Sequence, residues 1–294
     1  MKSSMLIKAV LLFFLVVSLF APFTFLKPKV VEQTIDEPLA KVIKNKPIKK
    51  IIKKEIEKPL HKVKLPDFAS ILDIQTKKKK FFDFIKPAVM KQNNKLLETR
   101  SKLNAWLEHV SLEIPLSEQE QQELKQLVKK YRVNKNASIL SQLNALLLRV
   151  DVIPMPLVLV QAANESAWGT SRFSRIGLNF FGIWCYQEGC GMVPNSRDTG
   201  ANHEVAAFQS LDEAVAHYFD NINSHNAYRV FRTIRYELRS QEQELNPEVL
   251  AAGLLPYSER GVDYVIDITK MLRQNEHFLM EQEKDALSAE VIEG

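Results

Sequence analysis

The stretch from Pro156 to Trp168, PLVLVQAANESAW, is apolar on nearly every helical face, through Leu157, Val158, Leu159, Val160, Ala162, Ala163 and Ala167. A helix of this kind is stable only when other elements cover it on all sides, so the chain must enclose it. The means are present: 46% of the 294 residues are hydrophobic and only nine are glycine, which favours a sizeable and mostly helical core. The few polar residues of the stretch, Gln161, Asn164 and Glu165, share one stripe with Trp168 at three- and four-residue steps. A buried helix with a single polar stripe opens onto a cleft or an internal network. Glu165 falls in its last turn, where the negative end of the helix dipole and partial burial both favour a protonated carboxyl. That is the state a general acid requires. The alternative is a helix-end glutamate paired with Arg172 or Arg175, and spacing alone does not separate the two.

The enclosing elements can be read from caps and periodicity. Pro156 suits the first turn of the central helix and Gly169 its end. Phe81, Phe84 and Ile85, then Leu96, Leu97, Leu103 and Leu107, recur at helical spacing and predict two helices interrupted at Pro87. Ser117 with Glu120 and Ser210 with Glu213 read as capping boxes. Further helices are expected over 138–150, 228–240, 247–252 and 262–275. From Gly177 to Ala207 glycines, Pro194 and short apolar stretches predict a loop with a small β-hairpin. The body therefore reads as mainly α (α+β), with one β excursion and without an internal repeat or a phosphate loop.

The ends have a different composition. Ala9 to Leu26 is an apolar run of 18 residues behind Lys2 and Lys8, the length of a signal peptide or a single span. It lacks a clear small-x-small cleavage site and is read as an uncleaved anchor. Lys27, Lys29, Lys41 and Lys44 follow it, and counting positive charge would keep the body inside, although long domains translocate regardless of charge. From Lys27 to Leu65 twelve lysines face five acids, with four prolines and no aromatic residue. The net charge of +5 thus belongs to an extended linker rather than to the body. Fifty residues of flexible chain reach about 40 Å. The bland reading of the lysines is a solvated spacer; the functional one is attraction to anionic lipid or wall polymer. Without interleaved aromatics they do not suggest nucleic-acid binding.

Cys185 and Cys190 are the only cysteines, in WCYQEGCGMVP, and a pair this close can join with little distortion. Free thiols or half a metal site are the alternatives. The absence of a second cysteine pair, with His203 the only histidine nearby, argues against zinc. A disulfide argues for an oxidising compartment and hence export.

LVLVQAANESAWGTSRF followed by GLNFFGIWC closely resembles the glucosaminidase domain of family 73 glycoside hydrolases, cell-wall enzymes with a lysozyme-like helical fold. AAFQSLDEAVAHYFDNI and LLPYSERGVDYV resemble the segments that follow in that family. From KKKKFFDFIKPAV through RVDVIP to GCGMVP and HEVAAF, about Lys77 to Asn275, the pattern is similar to the bacterial Bax proteins, envelope proteins unrelated to the apoptotic factor of that name. The resemblance implies hydrolysis of the β-1,4 bond after N-acetylglucosamine in peptidoglycan. Glu165 matches the catalytic acid. The family's second carboxylate lies on a mobile β-hairpin, where Glu204 is the best match and Glu188 the rival; an inverting pair would stand roughly 6.5–9.5 Å apart. Otherwise the sugar's own acetamido group would act as nucleophile. Tyr257 matches a tyrosine beside the reacting sugar, although YSERG departs from the family's YATDP-type pattern. Gln161, Trp168, Asn179, Phe180 and Trp184 form the expected substrate-binding set, Asn179 by ordering the loop under the acid, while Phe180 and Phe181 have packing as their alternative. No metal or cofactor is implied.

The expected organisation is an anchor over 1–26, a linker over 27–75, a helical extension over 76–135, a catalytic domain over 136–276 and an acidic tail over 277–294. The expected location is the cell envelope, with the domain in the periplasm and peptidoglycan glycan strands as its partner. A lytic transglycosylase and a non-catalytic wall-binding or scaffold module remain as competing readings.

Overall fold

The computed structural model describes residues 57–194, 200 and 203–279. The expected anchor over 1–26 lies outside them, as does most of the acidic tail. Among the described residues no helix is long and apolar enough to cross a membrane.

Helix α1 (Ile74–Ser111) is capped by Asp73, whose side chain accepts from the Thr76 N–H at 2.8 Å. It runs unbroken through Pro87, where two helices were expected. The interruption costs about 3 kcal/mol. It is offset because Phe81, Phe82, Ile85 and Val89 around it are all fully buried, each gaining about 1.5–3 kcal/mol. Helix α2 (Glu118–Lys130) opens on the reciprocal capping box of Ser117 and Glu120. Helix α3 (Ile139–Arg149) is capped by Ser138. The expected buried helix is α4 (Met155–Ser166), with Pro156 in its first turn and every residue from Met155 to Ala163 buried. Around α4 pack α1, helix α8 (Pro247–Ala251) and helix α9 (Val262–Gln274). The all-apolar helix is thus the axis of the body.

Helix α4 ends earlier than Gly169. Ala167, Trp168 and Gly169 follow one another at φ of 50°, 57° and 75°. Ser166 holds this left-handed turn, donating to the Ala162 carbonyl at 2.6 Å and accepting from the Gly169 N–H at 2.8 Å. A side chain at Gly169 would meet the Phe68 ring at 2.5 Å, so the position needs glycine for space as well as for its torsion. Phe68 belongs to the stretch 57–73, which lies along the short helix α5 (Arg172–Gly177). There Leu60 N–H donates to the Ile176 carbonyl at 2.8 Å, and His61 Nε2 lies 3.1 Å from the Arg175 carbonyl oxygen.

The β excursion holds three short strands rather than a simple hairpin. β1 (Trp184–Cys185) and β2 (Gly191–Met192) flank β3 (Glu204–Ala206), which is antiparallel to both. The chain leaves β2 and returns between the two strands joined by the Cys185–Cys190 disulfide. A side chain at Gly191 would fall 2.0 Å from the Val205 carbonyl oxygen, so only glycine allows this close pairing.

Helix α6 (Leu211–Ser224) is capped by Ser210 Oγ; the Glu213 carboxylate reaches back to the Gln209 N–H rather than to that of Ser210. A 3₁₀ turn (Asn226–Tyr228) leads into helix α7 (Arg229–Ser240), and another (Ala252–Tyr257) follows α8. Asp151, just before α4, ties these layers together. Its buried carboxylate receives Arg239 at 2.9 and 3.0 Å and lies 3.6 Å from Arg100 of α1 and 3.9 Å from the fully buried Arg235 of α7.

Candidate active site

Glu165 stands in the last turn of α4, half-buried, and burial raises its carboxyl above the ordinary value of 4.5. Hydrogen bonds from Asn164 and Tyr264, and the charge of Arg260, act against that rise without cancelling it. The alternative salt bridges do not form. Arg172 is held by the Glu57 carboxylate at 2.5 Å, and Arg175 donates to the Thr170 carbonyl at 3.2 Å.

Behind the carboxyl lies a directional hydrogen-bond chain. The Tyr218 hydroxyl donates to Gln161 Oε1, and Gln161 Nε2 donates to the Tyr264 hydroxyl oxygen at 2.8 Å. That leaves the Tyr264 proton for Glu165. Gln161 is fully buried, so it orients Tyr264 from below instead of touching a ligand, as the substrate-binding expectation had it. Burial holds the Tyr218, Tyr257 and Tyr264 hydroxyls far above their usual range, so they remain neutral donors. Tyr264 was missed by sequence reasoning because it sits on α9, 103 residues from Gln161. It lies in LLPYSERGVDYV, where only Tyr257 was given a role.

A cleft of about 770 Å³ runs beside this group, lined by Phe181, Gly182, Trp184, Tyr228 and Tyr257 among others. Gly182 has a φ of 64°, and a side chain there would lie 3.4 Å from Glu165 Oε2. The lack of a side chain at this cleft-lining position leaves the space beside the carboxyl clear. Tyr257 donates to the Phe181 carbonyl at 2.7 Å, and its ring stacks on Tyr264 with centroids 5.5 Å apart. Trp184 is 47% exposed on the cleft wall, edge-on to His203. Asn179 spends its whole amide on the loop above, donating to the Ile183 and Ala206 carbonyls and accepting from the Phe181 and Ile183 N–H groups.

Two residues expected against the sugar sit elsewhere. Phe180 is 0% exposed, packed on Phe81 and Phe84 of α1, and has no open face. Trp168 turns toward the same helix, its ring 5.6 Å from Phe81 and 5.3 Å from Phe82. The physical reason is shared: the cover of α4 by α1 takes the aromatic surface around its end. Glu204 is 4% exposed, and its carboxylate accepts from the Gly189 and Gly191 N–H groups at 3.1 and 2.8 Å, bracing the disulfide loop. Its rival Glu188 is exposed on that loop. Glu204 lies within 4.8 Å of the two sulfurs, but the disulfide consumes both thiolates, so the trio does not make a metal site. The cleft wall carries another carboxylate, Asp220 of α6, which pairs with Lys130 at 3.2 Å.

Residues 140–277 match the glucosaminidase family described as mannosyl-glycoprotein endo-beta-N-acetylglucosaminidase. Over 216 residues the chain is 32% identical to Protein bax of Escherichia coli (strain K12), covering 73% of this chain and 76% of that protein. The chain belongs to the Bax family. No solved structure matches it. In this Bax-family chain the glucosaminidase match takes in α4, the β-sheet and α9, and so contains Glu165, Gly182, Tyr257 and Tyr264. The mainly helical body with its small sheet accords with a lysozyme-like glucosaminidase domain. Lys130 and Arg132, which also line the cleft, come from outside that match.

Proposed function

We propose that this Bax-family chain is a peptidoglycan hydrolase that cleaves the β-1,4 bond after N-acetylglucosamine, with Glu165 as the general acid. The observation that carries this reading is a half-buried carboxyl, its proton favoured by burial, beside a cleft-lining glycine, Gly182, that places no side chain against it.

Glu165 gives its proton to the glycosidic oxygen as the bond from that oxygen to C1 breaks. The Tyr264 hydroxyl then stabilises the carboxylate left behind. Both Glu204 oxygens are engaged with the loop backbone, which favours the sugar's own 2-acetamido oxygen as the group that attacks C1. Water then opens the resulting oxazolinium ring, and Glu165 takes the proton that this water releases. Trp184 offers a ring to a sugar face along the cleft. The disulfide supports a domain working on the oxidising side of the membrane, in the periplasm; an anchor over 1–26 with a basic linker would hold it near the wall.

The test is a digest of purified peptidoglycan, with products reduced by borohydride and weighed by mass spectrometry. N-acetylglucosaminitol ends are the expected result. Anhydro-muramic ends would instead assign Glu165 to a lytic transglycosylase, and an undigested wall would remove the enzyme reading.

A further inference from the structure

The cleft beside Glu165 is not built by the glucosaminidase segment alone. Lys130, the last residue of α2, and Arg132, in the turn after it, line the same cavity as Trp184 and Tyr257. Two cations thus face one lining acid, Asp220. The acid is already taken by Lys130 at 3.2 Å. Among the described residues no carboxylate pairs with Arg132, which is exposed. Arg132 has a φ of 55°, in the left-handed region that glycine or asparagine ordinarily fills at a helix end. The turn is closed by the Val133 N–H donating to the Val128 carbonyl at 2.9 Å. Basic residues in the last turn of a helix commonly serve its dipole. Lys129 and Lys130 fit that account, but Arg132 lies beyond the helix, where it lines this cleft and also a second cavity between α2 and α3.

We infer that Arg132 is a carboxylate-recognising residue of the cleft, there to engage the peptide stems carried by the glycan strand. The inference rests on the peptidoglycan reading above. A glycan of N-acetylated sugars is uncharged along its backbone, so an unpaired guanidinium has no ionic partner on the sugar rings. The anionic groups of peptidoglycan lie on its peptides, and the planar guanidinium fork matches a carboxylate in two parallel hydrogen bonds. The helical extension ahead of the glucosaminidase segment therefore contributes specificity, making peptidoglycan with free stem carboxylates a better substrate than the same peptidoglycan with them amidated.

The experiment compares two substrates from one preparation: peptidoglycan with its stem carboxylates free, and the same peptidoglycan with them converted to amides by carbodiimide and ammonia. Each is digested by the wild type, Arg132→Glu and Arg132→Lys. Arg132→Glu is expected to lower kcat/KM on the untreated peptidoglycan by about 10-fold, the scale of one charge-assisted hydrogen bond, and to leave the amidated one within about 2-fold. Arg132→Lys should restore part of the loss, keeping the charge but not the fork. Equal activity of all three proteins on both substrates overturns the inference alone, and so does an equal loss by Arg132→Glu on both. A wild type that cuts neither glycan overturns the hydrolase reading and this one with it.

Discussion

Glu165→Gln is expected to lower muropeptide release from purified sacculi by about 10²–10⁴-fold, the contribution of a positioned general acid, while the melting temperature stays the same or rises. The amide keeps the shape of the side chain and an oxygen for the Tyr264 hydroxyl, but it has no proton to give to a leaving sugar. The sign of the stability effect follows from linkage. Burial raises the carboxyl above its ordinary 4.5, so the folded protein holds this proton to a higher pH than the unfolded chain does. Between the two values the unfolded chain is the more ionised, and stability falls as pH rises through that window. The loss persists at neutral pH, and glutamine removes it. A variant that is inactive and less stable would point to a structural glutamate; a variant as active as the wild type would remove Glu165 from the chemistry.

Asp151→Ala is expected to have the largest effect on stability, about 3–5 kcal/mol in denaturant unfolding, because removing one partner strands buried charge. Burial by itself would raise the Asp151 carboxyl, but Arg239, then Arg235 and Arg100, outweigh it and hold the group below its ordinary 3.8. Its stabilising contribution is therefore complete above that ordinary value and is lost as pH falls through the depressed one. Arg235 cannot escape to solvent. It is fully buried, and burial lowers its guanidinium to about 10, leaving it charged at neutral pH. Its remaining bonds, to Asn223 Oδ1 at 2.8 Å and to the backbone carbonyls before α4, hold the entry of that helix. A change below 1 kcal/mol would show that these backbone bonds suffice without the carboxylate.

What could be read before the fold was known was local. The buried helix, its polar stripe, the Ser117 and Ser210 caps and the cysteine pair all lie within a few residues of the features that identify them. What escaped depends on chain segments far apart. Pro87 sits inside α1 because the core burial on both sides of it outweighs one missing hydrogen bond, which periodicity alone does not weigh. The third strand escaped because β3 enters between two strands that a single disulfide already joins. Phe180, for which packing was the stated alternative, is buried against α1, and Trp168 is half-buried against the same helix. Glu204 read as a second catalytic carboxylate because of its place before AAFQSL; the bond from Gly191, thirteen residues away, shows what its charge serves. Tyr264 lies in LLPYSERGVDYV but has no role assigned there, since only the packing of α9 on α4 brings it to Gln161.

A carbon-13 NMR titration of the Glu165 side-chain carboxyl in the folded protein, assigned by its loss in Glu165→Gln, bears most directly on how this site works. Its midpoint is expected above 4.5, since shelter from water outweighs the Tyr264 and Asn164 hydrogen bonds that favour the anion. A midpoint at or below 4.5 would mean that the side chain is no better a proton holder than an exposed glutamate, and would contradict its role as the acid.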